Sequence, residues 1–223
     1  DSGDDPKLYE FNNKGELLKF TRFYSIRNKD WEDITFDGDK YYIADIGNNY
    51  ATRKNLTIYI LDKKLNLRDS IKIKYKNQKS FDYLKLNSFD AEALLSIGDS
   101  LAIFSKNRKD LSSEFYIFPK IPGEYKLEPI KSFNVNSLIT GGDYNEKLKL
   151  LALSAYDFDS NEQYIHVLKN FDLNKINYLN FTKYTLPIRD VQIEAIKIID
   201  NKTFWLTSES ERFGYPKLIK IIL

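Results

Sequence analysis

One strand–turn–strand unit recurs four times along this chain, and the repeat limits the folds open to it. It first appears as Trp31-Glu32-Asp33-Ile34, which passes through an Asp37-Gly38 turn into Tyr41-Tyr42-Ile43-Ala44-Asp45. It returns as Asp90-Ala91-Glu92-Ala93 before Leu101–Ser105, as Leu138–Asp143 before Leu148–Ser154, and as Gln192–Ile196 before Thr203–Thr207. Aligned on the first strand of each unit, one polar position reads Glu32, Glu92, Thr140 and Glu194, at spacings of 60, 48 and 54 residues. A supersecondary unit repeating every ~40–50 residues or slightly more is the mark of propeller blades.

The rest of the chain fits that plan. Aromatic residues make up 15% of the 223 residues, mostly Tyr and Phe, which suit strands. Each blade takes up to four short strands. The second holds 31–37, 41–45, 56–61 and 70–75; the third holds 90–96, 100–105, 114–118 and 125–133. The fourth holds 137–144, 148–155, 163–168 and 182–186, with an Asn-rich insertion at 170–180 that can contain a short helical turn. The last holds 192–200, 203–208 and 217–223. Residues 7–11 and 17–23 read as the outer strands of a first blade, and the loop-like Asp1–Pro6 leads to the expectation of one or two further strands upstream. The reading is an all-β chain, residues 1–223 forming a single five-bladed β-propeller, with six blades as the alternative. Residues 217–223 are expected to pair with 203–208, the two chain ends meeting at one blade.

Several classes of function are excluded. The net charge of +2 gives no nucleic-acid footprint. No apolar run approaches the ~18 residues of a membrane helix. The chain has no Cys, hence no disulfide or thiolate chemistry. No Walker loop or dinucleotide fingerprint is present. The single His, His166, falls on a strand away from the channel, and Gly141-Gly142 reads as a site of close strand approach.

In a propeller the innermost strands line the axis, and the loops between second and third strands return to the same mouth. Glu32, Glu92, Thr140 and Glu194 are therefore expected to meet on the axis as a metal site. Carboxylates so placed repel one another unless a cation neutralises them. An all-oxygen set suits Ca²⁺ or Mg²⁺ over Zn²⁺, and a Ca²⁺-type ion is the expectation. The alternative is that they bond to neighbouring strands or pair with Lys106 and Arg108. The loops bring Asp45, Asn48, Arg53, Lys106, Arg108, Tyr156, Asp157, Glu209 and Arg212 to the same mouth as candidate ligand-binding residues. Asp45 and Arg53 are expected to fold their own loop together, with Gly47 making the turn and the Asn pair adopting left-handed backbone.

Two resemblances sit on these residues. Asp30-Trp31-Glu32-Asp33-Ile34, followed by Tyr42-Ile43-Ala44-Asp45-Ile46-Gly47-Asn48-Asn49 and Arg53, resembles a group of secreted or lipid-anchored propeller proteins of Bacteroidota, with Asn48 where that group has Asp. That resemblance implies an exported, cell-envelope location; the polar loops converging on one face lead to the expectation of a protein or small-molecule ligand there. The order Glu32, Glu92, Thr140, Glu194 is also similar to that of calcium-activated, apyrase-type nucleotidases, five-bladed propellers with an axial Ca²⁺. Their double-Arg substrate motif is not reproduced; Lys106-Asn107-Arg108 is the nearest stretch. The implied function is a binding or scaffold module with a central Ca²⁺. A Ca²⁺-dependent hydrolase acting on phosphate or lactone substrates at the same mouth is the alternative.

Overall fold

The computed structural model describes residues 3–189, 191–209 and 215–223. It is all-β, with five sheets that follow one another in chain order in a propeller-like arrangement. The first sheet is the pair β1 (Lys7–Phe11) and β2 (Leu17–Arg22). The second is built from β3 (Trp31–Phe36), β4 (Lys40–Asp45), β5 (Leu56–Asp62) and β6 (Leu67–Tyr75). The third contains β7 (Ala91–Ile97), β8 (Ser100–Ser105) and β9 (Ser112–Pro119). Next along the chain are β10 (Gly123–Leu127), which leaves the third sheet for the second, and β11 (Lys131–Asn134), which completes the third. The fourth sheet is β12 (Leu138–Asn145), β13 (Leu150–Tyr156), β14 (Gln163–Lys169) and β15 (Thr182–Thr185). The last is β16 (Ile193–Ile198), β17 (Thr203–Ser208) and β18 (Lys217–Ile222).

The hydrophobic core lies between sheets, not within one. Strands such as β8 and β13 are buried on both faces, so their sequences run apolar without alternation. Ile58, Ile71, Leu94 and Tyr116 fill the space between the second and third sheets. Phe104, Phe115, Leu153 and Phe171 fill the next space, and Ile165, Ile193, Ile196 and Phe204 the one after. Leu8 of β1 joins Ile43, Tyr59 and Leu61 between the first two sheets.

Polar ties reinforce the inner strands. The Asp33 carboxylate accepts the backbone N–H of Leu94 at 2.8 Å and of Gly142 at 3.3 Å, joining three sheets at the axis. Asp143 accepts from Ile198 N–H at 2.8 Å, and Gln163 from Ile193 N–H at 3.0 Å. Close approach is enforced where Gly was read in that role. A Cβ on Gly141 would lie 2.5 Å from the Glu194 carbonyl, and one on Gly142 would lie 3.1 Å from Ala93 Cβ.

Three expectations need correction. The fourth strand expected over 125–133 is two strands: β10 pairs in parallel with β6 of the preceding sheet, and only β11 pairs with β9. Residues 217–222 do pair with β17, but β1–β2 forms a sheet separate from β16–β18, so the chain ends do not share one blade. The left-handed residue of the 45–55 loop is Ala51, not an Asn; Asn48 uses its amide to hold the loop instead. The insertion at 170–180 contains a 3₁₀ turn, Leu173–Tyr178, capped by Asp172.

Candidate metal centre at the channel mouth

Each inner strand carries one register shift against its partner. The four shifts fall between Trp31 and Asp33, Ala91 and Ala93, Ile139 and Gly141, and Ile193 and Ala195. The residue left without a partner is in turn Glu32, Glu92, Thr140 and Glu194. The polar repeat in the sequence is thus a repeated β-bulge, a device that re-aims one side chain and interrupts pairing.

Three carboxylates converge there. Oxygens of Glu32, Asp90 and Glu92 lie within 4.8 Å of one another. Glu32 and Glu92 border a cavity of about 430 Å³ that is also lined by Lys106, Arg108, Tyr156, Glu194 and Glu209. Lys106 Nζ donates to both Glu92 oxygens at 2.7 Å and lies 5.0 Å from the centre of the Tyr156 ring. Arg108 pairs with Asp90, bonds Asn49 Oδ1 at 2.6 Å, and stands 3.8 Å from Glu92. Among the described residues, five carboxylates line the cavity (Asp30, Glu32, Glu92, Glu194 and Glu209) with the two cations Lys106 and Arg108.

Burial first, and neighbouring charge second, shift the acidities of these groups. Burial, followed by the charges of Glu92 and Asp90, holds Glu32 well above the usual carboxylate range. Burial pushes Glu92 up to about 7, with Lys106 acting against it. Burial and the Glu92 charge push Glu194 up to about 9. Burial opposes the charge on Lys106, but Glu92 outweighs it and raises Lys106 above the usual lysine range. The buried carboxylates of the mouth thus disfavour their own negative charge, and a bound cation would relieve this.

Other residues expected at the site have different duties. Thr140 occupies the equivalent bulge, yet its hydroxyl donates to the Ile193 carbonyl at 2.5 Å and shares a 3.1 Å bond with Ser154. It ties two sheets together through these bonds. Asp45 is buried, accepting from Asp30 N–H at 3.0 Å and pairing with Arg53 at 2.7 Å. Arg53 also donates to the Gly47 carbonyl at 2.7 Å, so the expected loop closure is present. Asn48 is buried and bonds Phe89 and Asp90 of the neighbouring sheet. Asp157 organises its own turn through Asp159 and Ser160 N–H. Arg212 lies outside the described residues. His166 bonds Ser137 at 2.7 Å, but both are buried away from the cavity.

Asp90 is the participant that the sequence reading missed. It stands two residues before Glu92, as Asp30 stands two before Glu32, so an Asp-x-Glu pattern marks two of the four bulges.

Sheets in series, inner strands around an axis, and a polar mouth formed by bulges and loops define a β-propeller-like protein. Comparison with solved structures agrees. The chain is similar to an exo-β-1,3-galactanase from Phanerochaete chrysosporium, solved with β-1,3-galactotriose: TM-score 0.56, 12% identity, 97% of this chain and 50% of that one. It is similar to a GH43 β-1,3-galactosidase: TM-score 0.54, 11% identity, 97% of this chain and 48% of that one. It is also similar to the NanB sialidase from Streptococcus pneumoniae: TM-score 0.51, 13% identity, 94% of this chain and 34% of that one. The chain thus spans half the length of these proteins or less, and at such identities the likeness shows the fold alone. No protein-family model and no curated protein matches the chain.

Proposed function

We propose that this chain is a binding or scaffold module of the cell envelope. It is a five-bladed propeller with β1–β2 as the outer part of its first blade, and its mouth binds Ca²⁺. The observation that carries this reading is the convergence of Glu32, Asp90 and Glu92 within 4.8 Å. Carboxylates so placed, with excess acid around them, offer the flexible oxygen set that Ca²⁺ accepts and that Mg²⁺, which dehydrates reluctantly, fits less well. The ion would tie the second and third sheets at one point, and the face around it would receive a protein or small-molecule ligand. Binding only to the folded state adds stability that rises with ion concentration. Calcium should therefore raise Tm, a chelator should lower it, and magnesium should do less. Glu32→Gln, which alters the carboxylate least engaged with other side chains, should weaken the calcium response and leave the circular dichroism spectrum unchanged. An unchanged Tm across a calcium titration would sink the proposal.

A second reading is a hydrolase at the same mouth, with calcium assisting. Glu194, held near 9, keeps its proton at neutral pH beside other carboxylates, as a general acid requires. The galactanase and galactosidase similar in fold make glycosides a substrate class to test beside phosphates and lactones. Turnover of a chromogenic galactoside, phosphate ester or lactone, abolished by Glu194→Gln, would favour this reading over the first.

A further inference from the structure

Among the described residues, Asp90 and Glu92 are each paired with a cation from one loop, and Glu32 is not. The hairpin β7–β8 sets this pairing. Ala91 faces Ser105 in the ladder, and Lys106 N–H donates to the Asp90 carbonyl at 2.8 Å, so the chain leaving β8 runs beside the acids that lead into β7. Lys106 thereby reaches both Glu92 oxygens at 2.7 Å, and Arg108 reaches Asp90. In the second sheet the N–H that bonds the Asp30 carbonyl belongs to Gly47, which has no side chain to offer Glu32. The two loop cations are not held alike. Arg108 is fixed a second time by Asn49 Oδ1 at 2.6 Å, and its partner Asp90 by Asn48 N–H at 2.6 Å. The Lys106 ammonium is bonded to Glu92 alone and borders the cavity, with the Tyr156 ring centre 5.0 Å away. After Glu92, Glu194 on the same cavity is the next carboxylate whose charge acts on Lys106.

We propose that Lys106 is the specificity-determining residue of the mouth, a tethered cation that an entering metal ion must displace from Glu92 toward Tyr156 and Glu194. The inference rests on the calcium reading above and adds to it what decides which ions enter. A cation ligated by a Glu92 oxygen would stand within about 5 Å of the ammonium, where like charges in a desolvated site repel strongly. Exchanging one single charge for another gains nothing, so Na⁺ and K⁺ leave Lys106 in place. A divalent ion brings twice the charge to Glu32, Asp90 and Glu92 together, which offsets the loss of one ion pair. The cavity gives the displaced side chain room and a second carboxylate, Glu194, to meet. Arg108, held at both ends of its guanidinium, stays on Asp90.

The test compares wild type with Lys106→Met by titration calorimetry with calcium chloride, and follows reductive methylation of Lys106 in the wild type by peptide mass spectrometry. Lys106→Met should bind calcium about tenfold more tightly, the size of an ordinary coupling between two sites. Its calcium affinity should fall more in sodium chloride than in an equal concentration of tetramethylammonium chloride, whose cation is too large for the site; the wild type should show no such difference. Saturating calcium should speed methylation of Lys106 in the wild type, a measurement that decides the matter even where Lys106→Met fails to fold. Calcium binding by Lys106→Met alone would also support the proposal. Equal or weaker binding by Lys106→Met, or methylation of Lys106 that saturating calcium leaves unchanged, overturns the proposal and leaves the calcium reading standing. No calcium binding by either chain overturns the calcium reading and this inference with it.

Discussion

Gly47 and Glu32 meet at the mouth so closely that a Cβ on Gly47 would overlap Glu32 Oε1 and lie 2.5 Å from Asp30 Oδ2. The absent side chain of Gly47 is what lets the bulged Glu32 turn inward under the following loop. Gly47→Ala should displace Glu32 and cost about 1–3 kcal/mol, the range for overpacking a filled site. Urea unfolding measures the cost. The penalty should shrink in a Glu32→Ala background, and an equal penalty in both backgrounds would show that Glu32 is not the obstacle.

Much of this site is legible in the sequence because a bulge repeats at a fixed place in the blade. Glu32, Glu92, Thr140 and Glu194 could be aligned without knowing why their position is polar. What the alignment could not show is where each polar group spends its bonds. Thr140 faces a carbonyl of the next strand, and its hydroxyl is used there. In the sequence Asp90 reads as the first residue of a strand, with no role at the mouth; in the structure it precedes the strand, and its backbone bond to Lys106 N–H at 2.8 Å fixes the loop that delivers Lys106. The role of Gly47 was read as turn geometry, but the constraint is a side chain from an earlier strand. Strand β10 was misplaced for a similar reason. Its local pattern suits any edge, and tertiary packing chose β6 over β9.

Lys106 and Glu92 form an ion pair with side chains only 4% and 5% exposed. Removing one partner strands a buried charge, which costs about 3–5 kcal/mol where such pairs have been broken. Lys106→Met keeps most of the side-chain volume and should destabilise the fold by about that amount at pH 8, as read by chemical denaturation. The double variant Lys106→Met with Glu92→Gln should recover at least half of the loss. A double variant no better than Lys106→Met would place the cost in packing against Tyr156 instead.

Arg53 is bound to Asp45 and to the Gly47 carbonyl, and its own N–H donates to Asn48 Oδ1 at 2.9 Å. These contacts close the loop that carries Gly47 over the mouth. Arg53→Ala should lower stability by about 3 kcal/mol, since it leaves Asp45 buried and unpaired. The calcium concentration that gives half of the Tm shift should change less than twofold. The reverse outcome, stability kept and the calcium response lost, would move Arg53 from the scaffold into the binding site.

His166 supplies a pH dependence that is separable from the mouth. Burial, with a smaller contribution from the Lys183 charge, lowers its pKa from 6.5 to about 3, and its ring is bonded to Ser137 at 2.7 Å. Between those two values the unfolded chain binds a proton that the folded chain does not. Stability from this residue is therefore complete above pH 6.5 and falls as the pH drops toward 3, with a slope of at most ~1.4 kcal/mol per pH unit. Moving from pH 7 to pH 5 should cost the wild-type chain about 2 kcal/mol through His166 alone. His166→Gln cannot take up that proton. Its unfolding free energy, measured by urea titration at both pH values, should lack this contribution, while the carboxylates of the mouth affect both chains alike. The difference between the two chains isolates the histidine. If they lose stability in parallel from pH 7 to pH 5, His166 is not held neutral and the enclosed environment assigned to it is wrong.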